Sequence, residues 1–453
     1  MKPKLQYVIS AAVTLLVILA FAAALFVYAD FFNNGGKQSV PAASDVVMAA
    51  PKTDAPLMLS APAPGNALNA DGAVQSEPSA AVEPSETPVP APRTVKVKIS
   101  VVGDLMVHTD QLTDAASKAQ APDEYDFSGE FEYISKYIKS ADYAIGNLET
   151  VLGGKDAVYS DYPMFNSPDE YAQAIKDAGF DFLTTANNHC NDRGESGILR
   201  TINALDGLGI DHTGTYASQE SRDTIFIKNI KGIRFAILSY TYGTNGLPLA
   251  DGKPYLANVL SEELVKKDIE SAKALNPDFI IVLAHMGDEY APAPSDTVTA
   301  YFKMMFEAGA DIILASHPHV LQKTEYYDIT DPDGTTRHCF AAYSLGNFLS
   351  SQRTEPRDAG AILNLYFEKT ENEKAVLKDV SFIPTWVKFY DAQSRLDISV
   401  VSVYDELTGA PAPELRSADF NRIERVQTET TDTLAGEPTA PENAKAEYII
   451  PDT

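Results

Sequence analysis

The chain has 453 residues, 45 % of them hydrophobic, enough for one large or two medium domains with a substantial core. Its 63 acidic and 36 basic residues give a formal charge of −27, which argues against a nucleic-acid binder and disfavours adhesion to anionic polymers or lipid head groups outside a cationic or metal-bearing site. Two cysteines, Cys190 and Cys339, cannot build a disulfide framework; one bridge between them stays open, but the count fits a fold held by its core.

Lys2 and Lys4 precede an uncharged apolar run from Tyr7 to Tyr28, long enough to span a bilayer. The lysines on one side and Asp30 on the other predict an N-in, C-out orientation. Val27-Tyr28-Ala29 resembles a small-residue cleavage site, yet the run is longer than the apolar region of a signal peptide. Residues 1–29 therefore read as an uncleaved anchor in the lipid bilayer, with a signal segment as the alternative. Either way the main domain lies outside the cytoplasm, and the anchor reading places it at the cell membrane. Residues 30–93 are rich in Ala, Pro and Ser; such a stretch buries too little apolar surface to offset chain entropy and reads as a disordered spacer.

Order begins at Val95 to Asp104, which alternates and then runs apolar like an inner strand. Phe131 to Ile138 reads as a helix, Tyr143 to Glu149 as a strand ending on a carboxylate, and Asp169 to Ala178 as a helix stopped by Gly179. Phe180 to Ala186 is a third strand, and Gly194 opens a helical pattern through Ile198, Ile202 and Leu205. Two apolar runs, 225–229 and 233–240, flank Lys231-Gly232 and predict a hairpin. Helices at Glu262 to Leu275 and Thr297 to Ala308 alternate with strands at Asp278 to Ala284 and Asp311 to Ala315. A β-rich run follows: His338 to Ser344, Ala361 to Phe367, Val376 to Pro384 and Leu396 to Val403. The alternation implies βαβ units, and the later hairpins suggest a second sheet packed on the first. Residues 94–406 form the expected domain. In 407–453, Ser417 caps a short helix through Phe420, Ile423 and Val426, before an acidic tail that reads as loose.

The polar residues that matter stand at strand ends: Asp104, Glu149, Asn188 with His189, His285, and His317 with His319. Four of the seven histidines are among them. Carboxylate, amide oxygen and imidazole suit Mn, Zn, Fe or Mg better than thiophilic metals. Singly, each has a plainer reading: Asp104 after Gly103 as a turn former, Glu149 as a solvated strand end, His285 as a hydrogen-bonded core histidine, and the Asn188 loop as a capping turn. Recurrence at successive strand ends favours a metal site, because open α/β sheets hold ligands at their carboxyl edge.

Six motifs occur in order: Gly103-Asp104-Leu105-Met106, Gly146-Asn147-Leu148-Glu149, Ala186-Asn187-Asn188-His189 with Asp192 and Gly194, His285-Met286-Gly287-Asp288-Glu289-Tyr290, Ser316-His317-Pro318-His319-Val320, and Ser344-Leu345-Gly346-Asn347-Phe348. Together they resemble the bacterial capsule-synthesis CapA family, which is associated with poly-γ-glutamate production and shares the fold of calcineurin-like metallophosphoesterases. The resemblance runs from about Val97 to Phe348, and plausibly to Val403. It implies a four-layer α/β/β/α sandwich. It further implies two divalent ions held by Asp104, Glu149, Asn188, His285, His317 and His319, with Glu149 or Asp104 bridging. His189 would be the acid that meets substrate or leaving group, Asp192 and Glu289 would orient ligands from behind, and Asn347 would fix a neighbouring loop.

The pattern also departs from its relatives. Dinuclear phosphoesterases typically begin Asp-x-His, whereas Met106 stands in the histidine's place here, as is usual in the CapA group. One metal would lack a ligand unless His108, one helical turn beyond Asp104, or a water supplies it. Met286 and Ser316 replace Trp and Gly of many relatives without removing a ligand. Cys190 reads as a packing residue rather than a soft ligand.

The resemblance implies a metal-dependent hydrolase in synthesis or release of an anionic capsule polymer such as poly-γ-glutamate. Its partners would be the polymer or its precursor and membrane-embedded synthase subunits. The alternative is a non-catalytic, metal-stabilised subunit that assists polymer assembly or export. Protease added to wall-stripped cells should release a soluble fragment cut between Asp30 and Arg93. Full protection of the chain would refute the outward topology.

Overall fold

The computed structural model describes residues 92–452, apart from 393–394, 410 and 413–414. The apolar run Tyr7 to Tyr28, and the spacer up to residue 91, lie outside the described residues. Among the described residues no helix is long and apolar enough to cross a membrane.

Strands β1 (Thr94–Leu105), β2 (Tyr143–Leu148), β3 (Phe182–Thr184) and β4 (Asp211–Thr213) lie side by side and parallel. The chain then builds a separate six-stranded sheet from β5 (Phe226–Ile230), β6 (Ile233–Thr241), β7 (Phe279–His285), β8 (Ile312–Ser316), β9 (Leu321–Thr330) and β10 (Thr336–Leu345), in the order β5-β6-β7-β8-β10-β9. Finally β11 (Asn347–Leu349), β12 (Ala359–Thr370), β13 (Val376–Ala392), β14 (Arg395–Ser402) and β15 (Tyr448–Ile449) return to the first sheet. There the order is β14-β13-β12-β1-β2-β3-β4, with β12 antiparallel to β1. The late β-rich run is thus not a second sheet: from β11 onward it completes the first, and only its opening strand, β10, belongs to the second.

The apolar runs lack polar alternation because both faces of each sheet are covered. In β7, Ile281 and Leu283 face the layer between the sheets, while Ile280 and Val282 pack on the helices Glu262–Ala274 and Asp296–Ala308. Ile99 and Val101 of β1 and Phe235 and Ile237 of β6 fill the same central layer. On the other outer face, Leu148 and Leu183 meet Tyr171 and Ile175 of the helix Asp169–Ala178 and Leu205 of the helix Gly194–Leu208. The result is four layers, α/β/β/α. Positive φ at Gly179 (108°) and Gly209 (64°) ends two of these helices with left-handed caps.

Several local expectations change. The stretch from Phe131 to Ile138 is not one helix but a 3-10 turn, Ser128–Phe131, and a single α-turn, Ser135–Ile138. The helix after Arg416 runs from Ser417 to Ala435. The tail beyond it is packed rather than loose: Tyr448 and Ile450 join Leu434 in the central core, and Tyr448 stacks on Phe382 with ring centroids 5.4 Å apart. Both cysteines are free and buried, so the core and not a bridge holds the domain. Tyr448→Ala should cost about 3 kcal/mol in denaturant unfolding. A loss under roughly 0.5 kcal/mol, the size of a neutral surface change, would contradict the packing of the tail.

Candidate metal centre

The carboxyl ends of β1, β2, β3, β7 and β8 deliver Asp104, Glu149, Asn188 with His189 and Asp192, His285, and His317 with His319. Each of these side chains belongs to a residue no more than 3 % exposed. Two groups of ligand atoms form within 4.8 Å of one another: Asp104, Glu149 and His285, and Glu149, His317 and His319. Glu149 belongs to both.

The backbone aims these groups. The β1–β2 register shifts between Val101 and Asp104, a local irregularity of the kind that redirects side chains at sheet ends. Gly103 allows β1 to approach the loop before β11, since a Cβ there would sit 1.9 Å from the Gly346 carbonyl oxygen. The Asp104 N–H donates to that same oxygen at 3.0 Å, and Asp104 pairs with Asn347 across the strands. His317 and His319 both have positive φ, 103° and 58°. For residues other than glycine this costs of order 1–3 kcal/mol each and persists where surroundings enforce it.

Each side chain is then fixed by a neighbour. His319 Nδ1 lies 3.1 Å from both Asp104 Oδ2 and Asn347 Oδ1, so this nitrogen carries the proton and Nε2 offers its lone pair towards Glu149. His285 Nε2 is 2.8 Å from Asn188 Oδ1 and 3.6 Å from Glu149 Oε1. Asn147 donates from Nδ2 to Asp104 Oδ1 at 2.8 Å and sits 3.2 Å from His285 Nδ1. Asn187 donates to Asn147 Oδ1 at 3.3 Å and to the Leu148 carbonyl at 2.7 Å, and accepts the His189 N–H at 3.1 Å. His189 Nδ1 is 2.7 Å from Asp192 Oδ2, which also takes the Phe165 N–H at 2.7 Å. The Phe165 ring meets the His189 ring edge to face at 4.6 Å.

His317 Nδ1 and Glu149 are the exceptions, buried without a hydrogen-bond partner. Both Glu149 oxygens are in that position, with His285 Nε2 at 3.6 Å and His319 Nε2 at 3.8 Å. Burial, and then the charge of Asp104, push its carboxyl well above the usual range. Burial opposes ionisation of Asp104 too, but the hydrogen bonds from His319 and Asn147 help to outweigh it, and this carboxyl lies below its usual range. Burial, and then His317, drive His285 well below its ordinary value; burial and then His319 bring His317 down to about 4. Neutral imidazoles and a carboxylate short of positive charge are what a divalent cation requires, so the buried Asp, Glu and His clusters fit divalent metal binding.

Two residues, His108 and Glu289, sit elsewhere than the sequence suggested, and Cys190 packs as expected. His108 does not complete the ligand set: its Nδ1 accepts the Ser351 N–H at 3.3 Å and lies 3.4 Å from Gln111 Oε1. Glu289 is exposed, and among the described residues no hydrogen bond joins it to a site histidine. Cys190 is buried, and burial pushes its thiol up to about 12, so it stays protonated and apart from both ligand groups. Met106 is buried and contributes only its backbone, taking Gln111 Nε2 at 2.8 Å and the Tyr171 hydroxyl at 3.2 Å. Asn147 and Asn187 are the orienting residues that sequence reasoning did not assign. The signal was present: Asn147 interrupts the apolar strand 143–148 two residues before Glu149, and Asn187 directly precedes Asn188.

Comparison with known proteins agrees with the motifs. The profile of the family described as "Bacterial capsule synthesis protein PGA_cap" matches residues 98–352, more than half of the chain. The "Capsule biosynthesis protein CapA" of Bacillus anthracis is 28 % identical over 354 residues, covering 76 % of each chain. The "PGA biosynthesis protein CapA" of Bacillus subtilis (strain 168) is 28 % identical over 268 residues, covering 58 % of this chain and 66 % of its own. Among solved structures, the NAD nucleotidase of Haemophilus influenzae aligns at 12 % identity with a TM-score of 0.39, over 76 % of this chain and 57 % of its own. The calcineurin-like phosphoesterase YfkN of Bacillus subtilis aligns at 14 % identity with a TM-score of 0.36, over 75 % of this chain and 98 % of its own. The chain belongs to the bacterial capsule synthesis protein family PGA_cap.

Proposed function

We propose that this protein is a membrane-anchored, extracytoplasmic, metal-dependent hydrolase of the phosphoesterase type, acting on an anionic capsule polymer such as poly-γ-glutamate or on its precursor, beside membrane-embedded synthase subunits. Family membership supports the pathway. The single observation that carries the chemistry is Glu149, a buried carboxylate with no hydrogen-bond partner at the shared corner of two ligand groups.

Asp104, Glu149 and His285 would hold one ion, and Glu149, His317 and His319 the other, with Asn188 Oδ1 beside His285. Divalent ions held there would supply Lewis acidity towards a phosphoryl or carbonyl oxygen and a water. The protein's own part is orientation and proton transfer. Asp192 holds His189 through Nδ1, which leaves Nε2 as the atom to give a proton to a leaving group. His189 stands outside both ligand groups yet within charge range of His285 and His317, where such an acid is needed. The second reading, a non-catalytic subunit in polymer assembly or export, is favoured by Met106, whose buried thioether leaves the β1 loop without the expected imidazole.

Two sets of variants separate these readings. His317→Ala should lower bound metal well below wild type. His189→Ala should keep the metal and lose about 10²–10⁴-fold in phosphodiester or γ-glutamyl turnover, the usual contribution of a general acid. Metal loss confined to His189→Ala would refute the ligand assignment, and no detectable turnover with Mn, Zn or Mg in wild type would favour the subunit reading. Glu149→Gln should melt no lower than wild type after chelation, since an amide needs no counter-charge. It should also lose most of the rise in Tm that added Mn²⁺ or Zn²⁺ gives wild type; an equal rise would remove Glu149 from the site.

A further inference from the structure

We propose that Arg357, stacked on Tyr290, is an anion subsite on the His319 side of the metal centre, taking a carboxylate of the polymer one unit away from the group held over the metal ligands. This rests on the function proposed above. The Arg357 guanidinium carbon lies 3.4 Å above the Tyr290 ring. Tyr290 is 40 % exposed, and its ring centroid is 5.9 Å from that of His319.

Both halves of the stack are anchored through residues of the site. The Arg357 carbonyl accepts Asn347 Nδ2 at 2.9 Å, and Asn347 Oδ1 is the partner of His319 Nδ1. The next residue, Asp358, is buried; it pairs with Arg422 at 2.8 Å and takes Trp386 Nε1 at 2.9 Å. The Tyr290 N–H donates to the Pro318 carbonyl, between the two ligand histidines, at 2.8 Å. A guanidinium fixed this way keeps its fork of N–H donors free for a carboxylate, which a flexible ammonium would do less well.

Its charge is also unspent. The two arginines of the adjacent helix Ser417–Ala435 that face this loop have carboxylate partners: Arg422 has Asp358 and Glu429, and Arg425 has Glu355. No ion pair among the described residues uses Arg357. In a chain of formal charge −27 an arginine without an internal carboxylate, beside a metal centre, is placed for an external anion. A cavity of about 470 Å³ opens beside Tyr290, lined by Val320, Leu321, Pro356 and Ala359, and gives the polymer room. Its acids, Glu355 and Glu429, are each 2.7 Å from their own arginine, so neither competes for Arg357.

The test labels arginines of the full-length, metal-loaded protein with phenylglyoxal and maps the sites by mass spectrometry. It is run alone, with a short γ-linked glutamate oligomer, and with the matching neutral glutamine oligomer. Labelling of Arg357 should fall several-fold with the glutamate oligomer and stay unchanged with the neutral one. Arg357→Gln should weaken oligomer binding about tenfold or more, the value of a charged hydrogen bond. Its metal content should match wild type, and Arg357→Lys should recover part of the binding. Protection without turnover would support the subsite and overturn the hydrolase reading. Turnover with unprotected Arg357 would overturn the subsite and leave the hydrolase reading standing. Neither protection nor turnover would overturn both.

Discussion

An ionised carboxylate sealed from water without a partner costs several kcal/mol even after the protein relaxes around it. Glu149 would bear that cost if ionised, and burial together with Asp104 accordingly holds its carboxyl well above the usual range; the rest of the site is arranged about it. Its oxygens have no N–H or O–H within reach, although Asn147, Asn187 and Asn188 all lie in the neighbourhood with amide hydrogens. Each of those amides donates elsewhere: to Asp104, to Asn147 with the Leu148 carbonyl, and to Asn245. The nearest nitrogens, His285 Nε2 at 3.6 Å and His319 Nε2 at 3.8 Å, stand beyond hydrogen-bond reach. A buried carboxyl left without donors is a worse solution to burial and a better solution to holding a cation.

The fold supplies the rigidity this needs. β1 lies inside its sheet, and at the Asp104 end it is paired with β2 on one side and β11 on the other, both parallel, so that end cannot fray. The second sheet presents β7 and β8 in the same sense, parallel and in register from Ile281 to His285, which sets His285 beside the β8 loop. A less direct support comes from the C-terminal helix Ser417–Ala435. Arg422 on that helix grips Asp358, whose neighbour Arg357 holds Asn347 by its carbonyl, and Asn347 in turn orients His319. Residues late in the chain thereby position a ligand that the strand-end motifs alone would leave free to rotate.

Much of this was legible in the sequence because buried parallel strands read as continuous apolar runs and their ends read as sudden polarity. The Lys231-Gly232 turn and the strand ends at Asp104, His285 and Ser316 stand out for that reason. What was not legible depends on partners distant in the chain. Three-residue strands such as Asp211–Thr213 exist only because β3 offers a ladder. The tail looked loose because its few apolar residues, Tyr448 and Ile450, are interspersed with charge, yet both reach the central core. Glu289 stood in a ligand motif, but motif membership does not say which way a loop residue faces. Arg357 lies in no motif, and its significance comes from the carboxylate it lacks.

The His317-Pro318-His319 turn shows why function and local comfort part company here. Both histidines adopt a left-handed backbone that glycine or asparagine would take more cheaply. Replacing either by those residues would relieve strain and remove an imidazole. The turn is instead held from outside: Tyr290 bonds to the Pro318 carbonyl, Asp104 and Asn347 fix the His319 ring, and Tyr242 packs against His317 with centroids 4.6 Å apart. These contacts come from β1, from the β6 end, from the loop after β7 and from β11, elements that meet only when both sheets are assembled. Strain kept in place by the whole fold brings a nitrogen of each imidazole to Glu149. The same assembly that buries Glu149 therefore also determines which nitrogens face it.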